Sequence, residues 1–278
     1  MSLFSPERYR LALTESGLVL DGYKKRSSNA SNWQRVAQRN GLDAPGKNSL
    51  AKALTEVLQL LPRGVRCTVL MEDTLARLFV LSAPLQVNGP RELQRVASLR
   101  SALLFGDTPE DWICLGDWHA RGPFLVCALP KALLHGLQIA AKQQRVRLDC
   151  IQPQFVHDWN ASASLMREPG AWFARIGPQH TALGATDRGR LVAISQSRST
   201  APTSLDALRT FLLRASLQWG LPLPPVLYVG GELTAGWHGW NVDACRIRHL
   251  QLSSAPADAT AVQGGRAAPE RPPEEVQA

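Results

Sequence analysis

The order of strand-like and helix-like segments constrains the fold of this chain more than any single motif does. The first half opens on residues 8–23, where apolar and polar residues alternate from Tyr9 to Leu13 before a turn at Glu15; this pattern predicts a β-hairpin. The second half opens on residues 171–199, which predict three short antiparallel strands. Each opening continues into helices with one apolar face and into further strands. The sequence therefore predicts a two-lobed α/β protein.

Two further segments lie between these openings. Residues 66–84 are typical of a second hairpin that turns near Glu72 and Asp73. Residues 24–49 are polar and predict a loop, with room for one short helix around Trp33.

The composition fits a folded protein in a reducing compartment. The chain has 278 residues, of which 45% are apolar, and this is enough for two lobes with a core. No apolar run approaches the roughly 20 residues of a membrane span, and the N-terminus lacks the features of a secretory signal, so we expect a cytoplasmic location. The five cysteines are scattered without zinc or disulfide spacing. Residues 253–278 are rich in Ala, Pro and charge and predict a disordered tail.

The net charge of +8 is spread along the chain. The one compact basic run is Tyr23 to Arg26, and other basic residues are dispersed over predicted helices. Nucleic-acid-binding surfaces usually concentrate positive charge in a stripe with interleaved aromatic residues. We therefore do not expect nucleic acid as a partner, and a mildly basic surface near anionic lipid fits the charge at least as well.

Four segments follow one another in an order that resembles a known family. They are residues 69–84, 92–112, 123–155 and 171–199, and their sequence of strands, turns and helices is similar to that of the actin-like proteins of bacterial pilus and secretion machines. These proteins are PilM of type IV pili, MshI of the mannose-sensitive pilus and the cytoplasmic part of GspL in type II secretion. The resemblance covers roughly residues 9–250 and depends on the order of the segments.

The resemblance implies an actin-like, ribonuclease-H-type fold with mixed sheets. It places a first lobe at residues 1–160, with an inserted small α/β subdomain at about 66–122. A second lobe follows at residues 161–252, and the disordered tail occupies 253–278. A nucleotide cleft, or the remains of one, is expected between the lobes.

The loop that opens the second lobe departs from the pattern of actin-like ATPases. There the motif Asp-x-Gly-x-x-x-Thr supplies an acid for the metal and backbone N–H groups for the phosphates. This chain has Arg175 in place of the acid, while Pro178 removes an N–H donor. Arginine can pair with phosphate but cannot coordinate magnesium. Gly177 keeps its place in the loop, and Gly230 and Gly231 stand where the adenosine-binding glycines would be.

The corresponding loop of the first lobe is equally incomplete. It keeps Gly17 and Gly22, but its turn carries Glu15 and shows no Asp-x-Gly. The resemblance therefore implies a degenerate cleft with no cofactor and no bound metal. The three glycines of the second lobe, Gly177 with the pair at 230 and 231, would contact ATP only if nucleotide binding has been retained.

Other candidate residues give no sign of catalysis. The six histidines show no metal-binding spacing, and His157 and Asp158 are sequence neighbours that rarely face one another. No nucleophile elbow or Walker loop is present, so no catalytic residue is predicted. Trp237 and Trp240, in a glycine-rich segment, are predicted to contribute to a partner-binding surface.

These observations lead to one functional expectation and two alternatives. The resemblance implies a non-catalytic cytoplasmic adaptor of a type IV pilus-like or type II secretion-like platform at the inner face of the inner membrane, bound to the cytoplasmic tail of a bitopic membrane protein. The first alternative is an actin-like ATP-binding switch or ATPase. The second is a basic nucleic-acid-binding module. The sequence leaves the oligomeric state open.

Overall fold

The computed structural model describes most of the chain between residues 8 and 250. The described ranges are 8–23, 33–40, 47–82, 87, 89–119, 122–166, 168–177, 180–198, 205–231, 241–242 and 245–250. The predicted tail at 253–278 and the two tryptophans at 237 and 240 lie outside these ranges.

Strands and helices alternate throughout the described ranges. The strands are β1 (Arg8–Leu13), β2 (Gly17–Tyr23), β3 (Trp33–Asn40), β4 (Arg66–Met71), β5 (Arg77–Leu81), β6 (Trp112–Gly116), β7 (Phe124–Pro130), β8 (Arg147–Pro153), β9 (Trp172–Ile176), β10 (Thr181–Asp187), β11 (Arg190–Ser197), β12 (Val226–Gly231), β13 (Asn241–Val242) and β14 (Cys245–His249). The helices are α1 (Lys47–Leu58), α2 (Pro90–Phe105), α3 (Lys131–Gln144), α4 (Gln154–Ser162) and α5 (Leu205–Trp219).

Two of the three sheets share one strand order. The first sheet runs β3-β2-β1-β4-β8, and β1 is antiparallel to β2 but parallel to β4. The second runs β11-β10-β9-β12-β14-β13, and β9 is antiparallel to β10 but parallel to β12. Each half thus repeats the same topology around a central first strand. The predicted two-lobed α/β architecture with mixed sheets is confirmed.

Each of these sheets buries an apolar face under helices. The alternating apolar residues of β1 are buried, as the period of a half-buried strand requires. Helices α1 and α3 place Leu54 and Leu137 in the same core as Leu11. In the second lobe, Leu208 and Leu212 of α5 pack with the strands of the second sheet in a separate core. The helical periodicity of the sequence therefore marks the buried faces of α1, α3 and α5 correctly, whereas in α2 the predicted inward residues Leu103 and Leu104 are 76% and 45% exposed.

The third sheet, β5-β7-β6, is antiparallel and lies between β4 and α3 in the chain. One face of this sheet packs against α2, where Phe79 meets Leu93 and Ala97. The opposite face contributes Leu78 and Leu129 to the core of the first lobe. Helix α2 is therefore the outer layer of this part of the molecule.

Two local predictions are wrong. Strands β4 and β5 do not pair as a hairpin, because they belong to different sheets and are joined by a short 3₁₀ turn, Asp73–Leu75. Residues around Trp33 form β3 rather than a helix, and β3 pairs antiparallel with β2. The indole ring of Trp33 packs 5.3 Å from the ring of Tyr23, measured between centroids. In both cases the pairing is set by the tertiary fold, and the local pattern of the segment itself carries no signal for it.

Candidate functional site: a charge cluster between the lobes

Five ionisable side chains from both lobes meet where the two sheets approach each other. Glu72 and Asp73 follow the carboxyl end of β4, and Asp158 lies on α4. Arg175 is on β9 of the second lobe, and His180 immediately precedes β10. We call these five residues the interlobe charge cluster.

The first lobe holds its acidic residues with backbone contacts. The backbone N–H of Glu15, in the β1–β2 turn, donates to Glu72 Oε2 at 2.9 Å. Asp73 is 1% exposed, and its Oδ1 accepts a 2.7 Å hydrogen bond from the backbone N–H of Phe155, in the first turn of α4. A carboxylate at this position accepts a hydrogen bond from an N–H group that has no partner within the helix, and the positive end of the helix dipole stabilises its negative charge. The turn after β4 is thereby fixed against both the hairpin and α4.

The second lobe presents two basic side chains to these carboxylates. Arg175 Nε donates to Asp158 Oδ2 at 3.1 Å and lies 3.9 Å from Asp73 Oδ2. His180 Nδ1 lies 3.2 Å from Glu72 Oε1, and its Nε2 lies 3.4 Å from Asp73 Oδ2. Both histidine contacts are at ion-pair distance, without the alignment of a regular hydrogen bond. The two lobes are thus joined by ion pairs with little exposure to solvent.

Burial and the contacts within the cluster shift the pKa values of three of its members. Burial disfavours the charged form of His180, but its contacts with Asp73 and Glu72 outweigh this effect and raise the pKa to about 9. The His180 contact lowers the pKa of Glu72. For Asp158, burial outweighs the Arg175 ion pair and raises the pKa to about 6. Because three acids face two bases, protonation of Asp158 would leave the cluster electrically balanced.

Gln196 on β11 adds a neutral bridge beside the cluster. Its side-chain Oε1 accepts a 2.9 Å hydrogen bond from the backbone N–H of Leu78, and its Nε2 donates to the Asp73 carbonyl at 2.8 Å. The second lobe is therefore hydrogen-bonded both to the third sheet and to the turn after β4.

A small pocket lies next to the cluster. It has a volume of about 170 Å³ and is lined by residues that include Thr74, Arg77, Phe105, Thr181 and Arg198. This is below the roughly 300–1,000 Å³ of typical cofactor and drug-sized ligand sites. The pocket is too small for a whole nucleotide.

The predicted glycines lie close to this site, and packing accounts for two of them. A Cβ on Gly177 would overlap the imidazole ring of His180. Gly231 has a φ of +94°, and a Cβ there would overlap the Ile176 carbonyl, with which it is paired in the sheet. Gly230 is buried and pairs with Arg175 across β12 and β9. A role in nucleotide binding stays a prediction for all three.

The donor set does not suit a metal-bound nucleotide. Carboxylates that could hold magnesium are already paired with Arg175 or His180, and a guanidinium repels a divalent cation. Among the described residues, no three His, Cys, Asp or Glu side chains are arranged to hold a metal ion. Of the described helices, none is both long and apolar enough to cross a membrane.

The sequence alone singles out one of the five members of this cluster and gives no functional role to the other four. Arg175 was singled out by its position in the aligned loop. Glu72 and Asp73 have the local pattern of a hairpin turn. Asp158 follows His157 in the sequence, and this position gives no sign of a contact with the second lobe. Only the fold brings these residues together.

Comparison with solved structures identifies the fold. The cytoplasmic domain of EpsL, an inner-membrane component of the Vibrio cholerae type II secretion system, is 12% identical, with a TM-score of 0.54 over 88% of this chain and 90% of that chain. The structure of the PilM–PilN type IV pilus biogenesis complex is 14% identical, with a TM-score of 0.59 over 87% and 88%. A Bacteroides thetaiotaomicron protein with an actin-like ATPase fold and unknown function is 13% identical, with a TM-score of 0.57 over 87% and 91%. The chain has an actin-like fold.

This fold is the one that the order of segments predicted, and the structures that share it include the PilM and GspL types named by the resemblance. No protein-family model matches the chain, and no curated protein matches its sequence. The interlobe charge cluster therefore lies between the two lobes of an actin-like fold, where the resemblance places the nucleotide cleft.

Proposed function

We propose that this chain is a non-catalytic adaptor of a pilus-like or type II secretion-like platform, located at the cytoplasmic face of the inner membrane. In this role it binds the cytoplasmic tail of a bitopic membrane protein. Two of the solved structures with this fold come from such machines, and the likeness extends over nearly the whole of each compared chain. Shared fold alone is compatible with many functions, so the proposal depends on the site.

The observation that carries the proposal is the interlobe charge cluster. An ATPase of this fold needs free carboxylates for the metal and donors aimed at the phosphates. Here the chain's own Arg175 and His180 neutralise the carboxylates, and the adjacent pocket holds about 170 Å³. Protein side chains bridge the lobes at the place where an ATPase of this fold would need free carboxylates, which suits a scaffold better than a nucleotide switch.

The edge of the third sheet offers a surface for an extended partner segment. β6 is an edge strand, and its outward residues Ile113 and Leu115 are 38% and 42% exposed. They pair with Leu129 and Cys127, which are buried in the first-lobe core. This apolar face therefore continues beyond the core to a strand that pairs on one side only within the described sheet. Such an edge suits the addition of a peptide strand with apolar side chains at alternate positions.

The proposal is tested by co-purification of the full chain with cytoplasmic tails of bitopic inner-membrane proteins encoded beside its gene. We expect one tail to co-purify, and the double variant Ile113→Glu/Leu115→Glu to weaken its binding by about tenfold or more. Leu60→Glu/Leu165→Glu is the matched control, because both leucines are exposed elsewhere. Failure of every tail to bind, or equal loss in the control, would contradict the proposal.

Thermal unfolding with magnesium and ATP separates the adaptor from an ATP-binding switch. A ligand at a hundred times its Kd stabilises a protein by about 2.7 kcal/mol, which is roughly 5–10 °C in Tm for a chain of this size. We expect no shift of this kind at millimolar ATP. A shift that requires magnesium would instead favour the switch.

A further inference from the structure

The outward face of α2 combines basic and apolar residues. Leu93, Ala97 and Ser101 point inward and are buried. On the opposite side, Leu99 and Leu103 are 67% and 76% exposed. Arg91, Arg95 and Arg100 are also exposed on this helix. We call the set of Arg91, Arg95, Leu99, Arg100 and Leu103 the α2 basic–leucine face.

The arginines of this face carry positive charge that no described residue pairs. None of the three forms an ion pair with a described residue, whereas Arg77 on the neighbouring strand pairs with Asp107 at 3.0 Å. Acidic residues near α2 lie mainly beyond its C-terminal end, at Pro109–Asp111, and the helix itself contains one acid, Glu92. The helix therefore presents three exposed arginines against one acid, and Arg100 lies between the two exposed leucines in the sequence.

The position of α2 leaves this face accessible to a flat surface. The third sheet lies between α2 and the core of the first lobe, with one face toward each. The outward side of α2 therefore points away from the rest of the described molecule.

We propose that the α2 basic–leucine face binds an anionic lipid surface. Leucines at i and i+4 can enter the boundary between headgroups and acyl chains, while neighbouring arginines pair with lipid phosphates. Juxtaposed basic residues add to the attraction of an anionic leaflet, and the net charge of +8 acts in the same direction. A second copy is a poorer occupant, because a two-fold interface would bring the same arginines of both copies together.

This inference goes beyond the adaptor function and does not depend on it, since it concerns the chain and lipid without a protein partner. The experiment is co-sedimentation of the full chain with vesicles of phosphatidylcholine alone and of phosphatidylcholine mixed with phosphatidylglycerol. We expect binding to the mixed vesicles at low salt, little binding to the neutral vesicles, and weakening as salt is added.

Charge-removing variants locate the contact. Arg91→Gln/Arg95→Gln/Arg100→Gln should weaken binding to the mixed vesicles roughly a hundredfold, at about fivefold for each arginine. The matched control is Lys131→Gln/Lys142→Gln/Arg214→Gln, which removes the same charge from exposed positions on α3 and α5. The control should stay close to the unaltered chain.

Leucine variants distinguish insertion from charge attraction. Leu99→Gln/Leu103→Gln should weaken vesicle binding about tenfold through lost apolar burial. Leu213→Gln/Leu217→Gln on α5 removes an exposed pair with the same spacing and should have little effect. The proposal is overturned if the unaltered chain does not bind the mixed vesicles at low salt. It is equally overturned if the α2 variants and their matched controls lose vesicle binding to the same extent. It is also overturned if Leu99→Gln/Leu103→Gln abolishes self-association while leaving vesicle binding intact.

Discussion

The raised pKa of His180 makes the stability of this fold depend on pH in a defined window. The pKa is about 9 in the folded chain against an ordinary value of 6.5, so between these values the folded chain holds a proton that the unfolded chain has lost. Stability from this proton is complete below about pH 6.5 and is lost as the pH rises through about 9. At about 1.4 kcal/mol for each pKa unit, the ceiling of the effect is about 3 kcal/mol.

The substitution His180→Gln should remove this dependence. Glutamine keeps a hydrogen-bond donor but cannot carry the charge that faces Glu72 and Asp73. The variant should therefore be less stable than the unaltered chain at pH 7, by up to about 3 kcal/mol, and the two should converge near pH 10. His135→Gln is the control, because His135 lies exposed on α3.

Urea unfolding followed by tryptophan fluorescence measures both curves. The range from pH 7 upward lies above the window of Asp158, whose pKa of about 6 makes its own contribution fall as the pH rises from about 4 to 6. If the free energies of unfolding of the unaltered chain and His180→Gln run parallel between pH 7 and 9.5, the imidazolium does not hold the lobes together and the reasoning fails.

Three further predictions concern the packing and the ion pairs around the cluster. Gly231→Ala should cost about 2–4 kcal/mol, from its positive φ and the facing carbonyl, while Gly189→Ala, where a Cβ meets open space, should cost only about 1 kcal/mol; urea unfolding compares them. Gln196→Leu should lower the unfolding free energy by about 1–3 kcal/mol, because the N–H of Leu78 and the carbonyl of Asp73 would lose their hydrogen bonds to this side chain. In a double-mutant cycle, Arg175→Met alone should cost about 3–5 kcal/mol, and adding Asp158→Asn should recover much of this loss; additive costs would refute the coupling.

The sequence predicts the elements whose signals are local. Alternation from Tyr9 to Leu13 marks β1, and helical periodicity marks α3 and α5 with their buried faces. The repeated antiparallel openings also indicate two similar lobes. Each of these patterns arises within one continuous segment, the longest being residues 171–199, so no knowledge of distant partners is needed.

The misread parts depend on partners outside the segment itself. β3 forms because β2 offers an edge and Trp33 can pack on Tyr23, although its own residues are mostly polar. The turn at Glu72 and Asp73 has hairpin composition, but these acids contact a helix N-terminus and a histidine more than 80 positions further along the chain. Composition shows that charges are present, and only the fold determines which of them meet.

The arrangement of the cluster argues for a role in fixing geometry. Buried ion pairs often add little net stability, because desolvation offsets their attraction. Here the five charges lie on four segments of two lobes, so the acids are neutralised only when β9 and the start of β10 lie in one position against the turn after β4 and against α4. A displacement of a few ångströms would leave Asp73 buried without a cation. The charges thus select one orientation of the two lobes, and a fixed orientation is consistent with the proposed adaptor function.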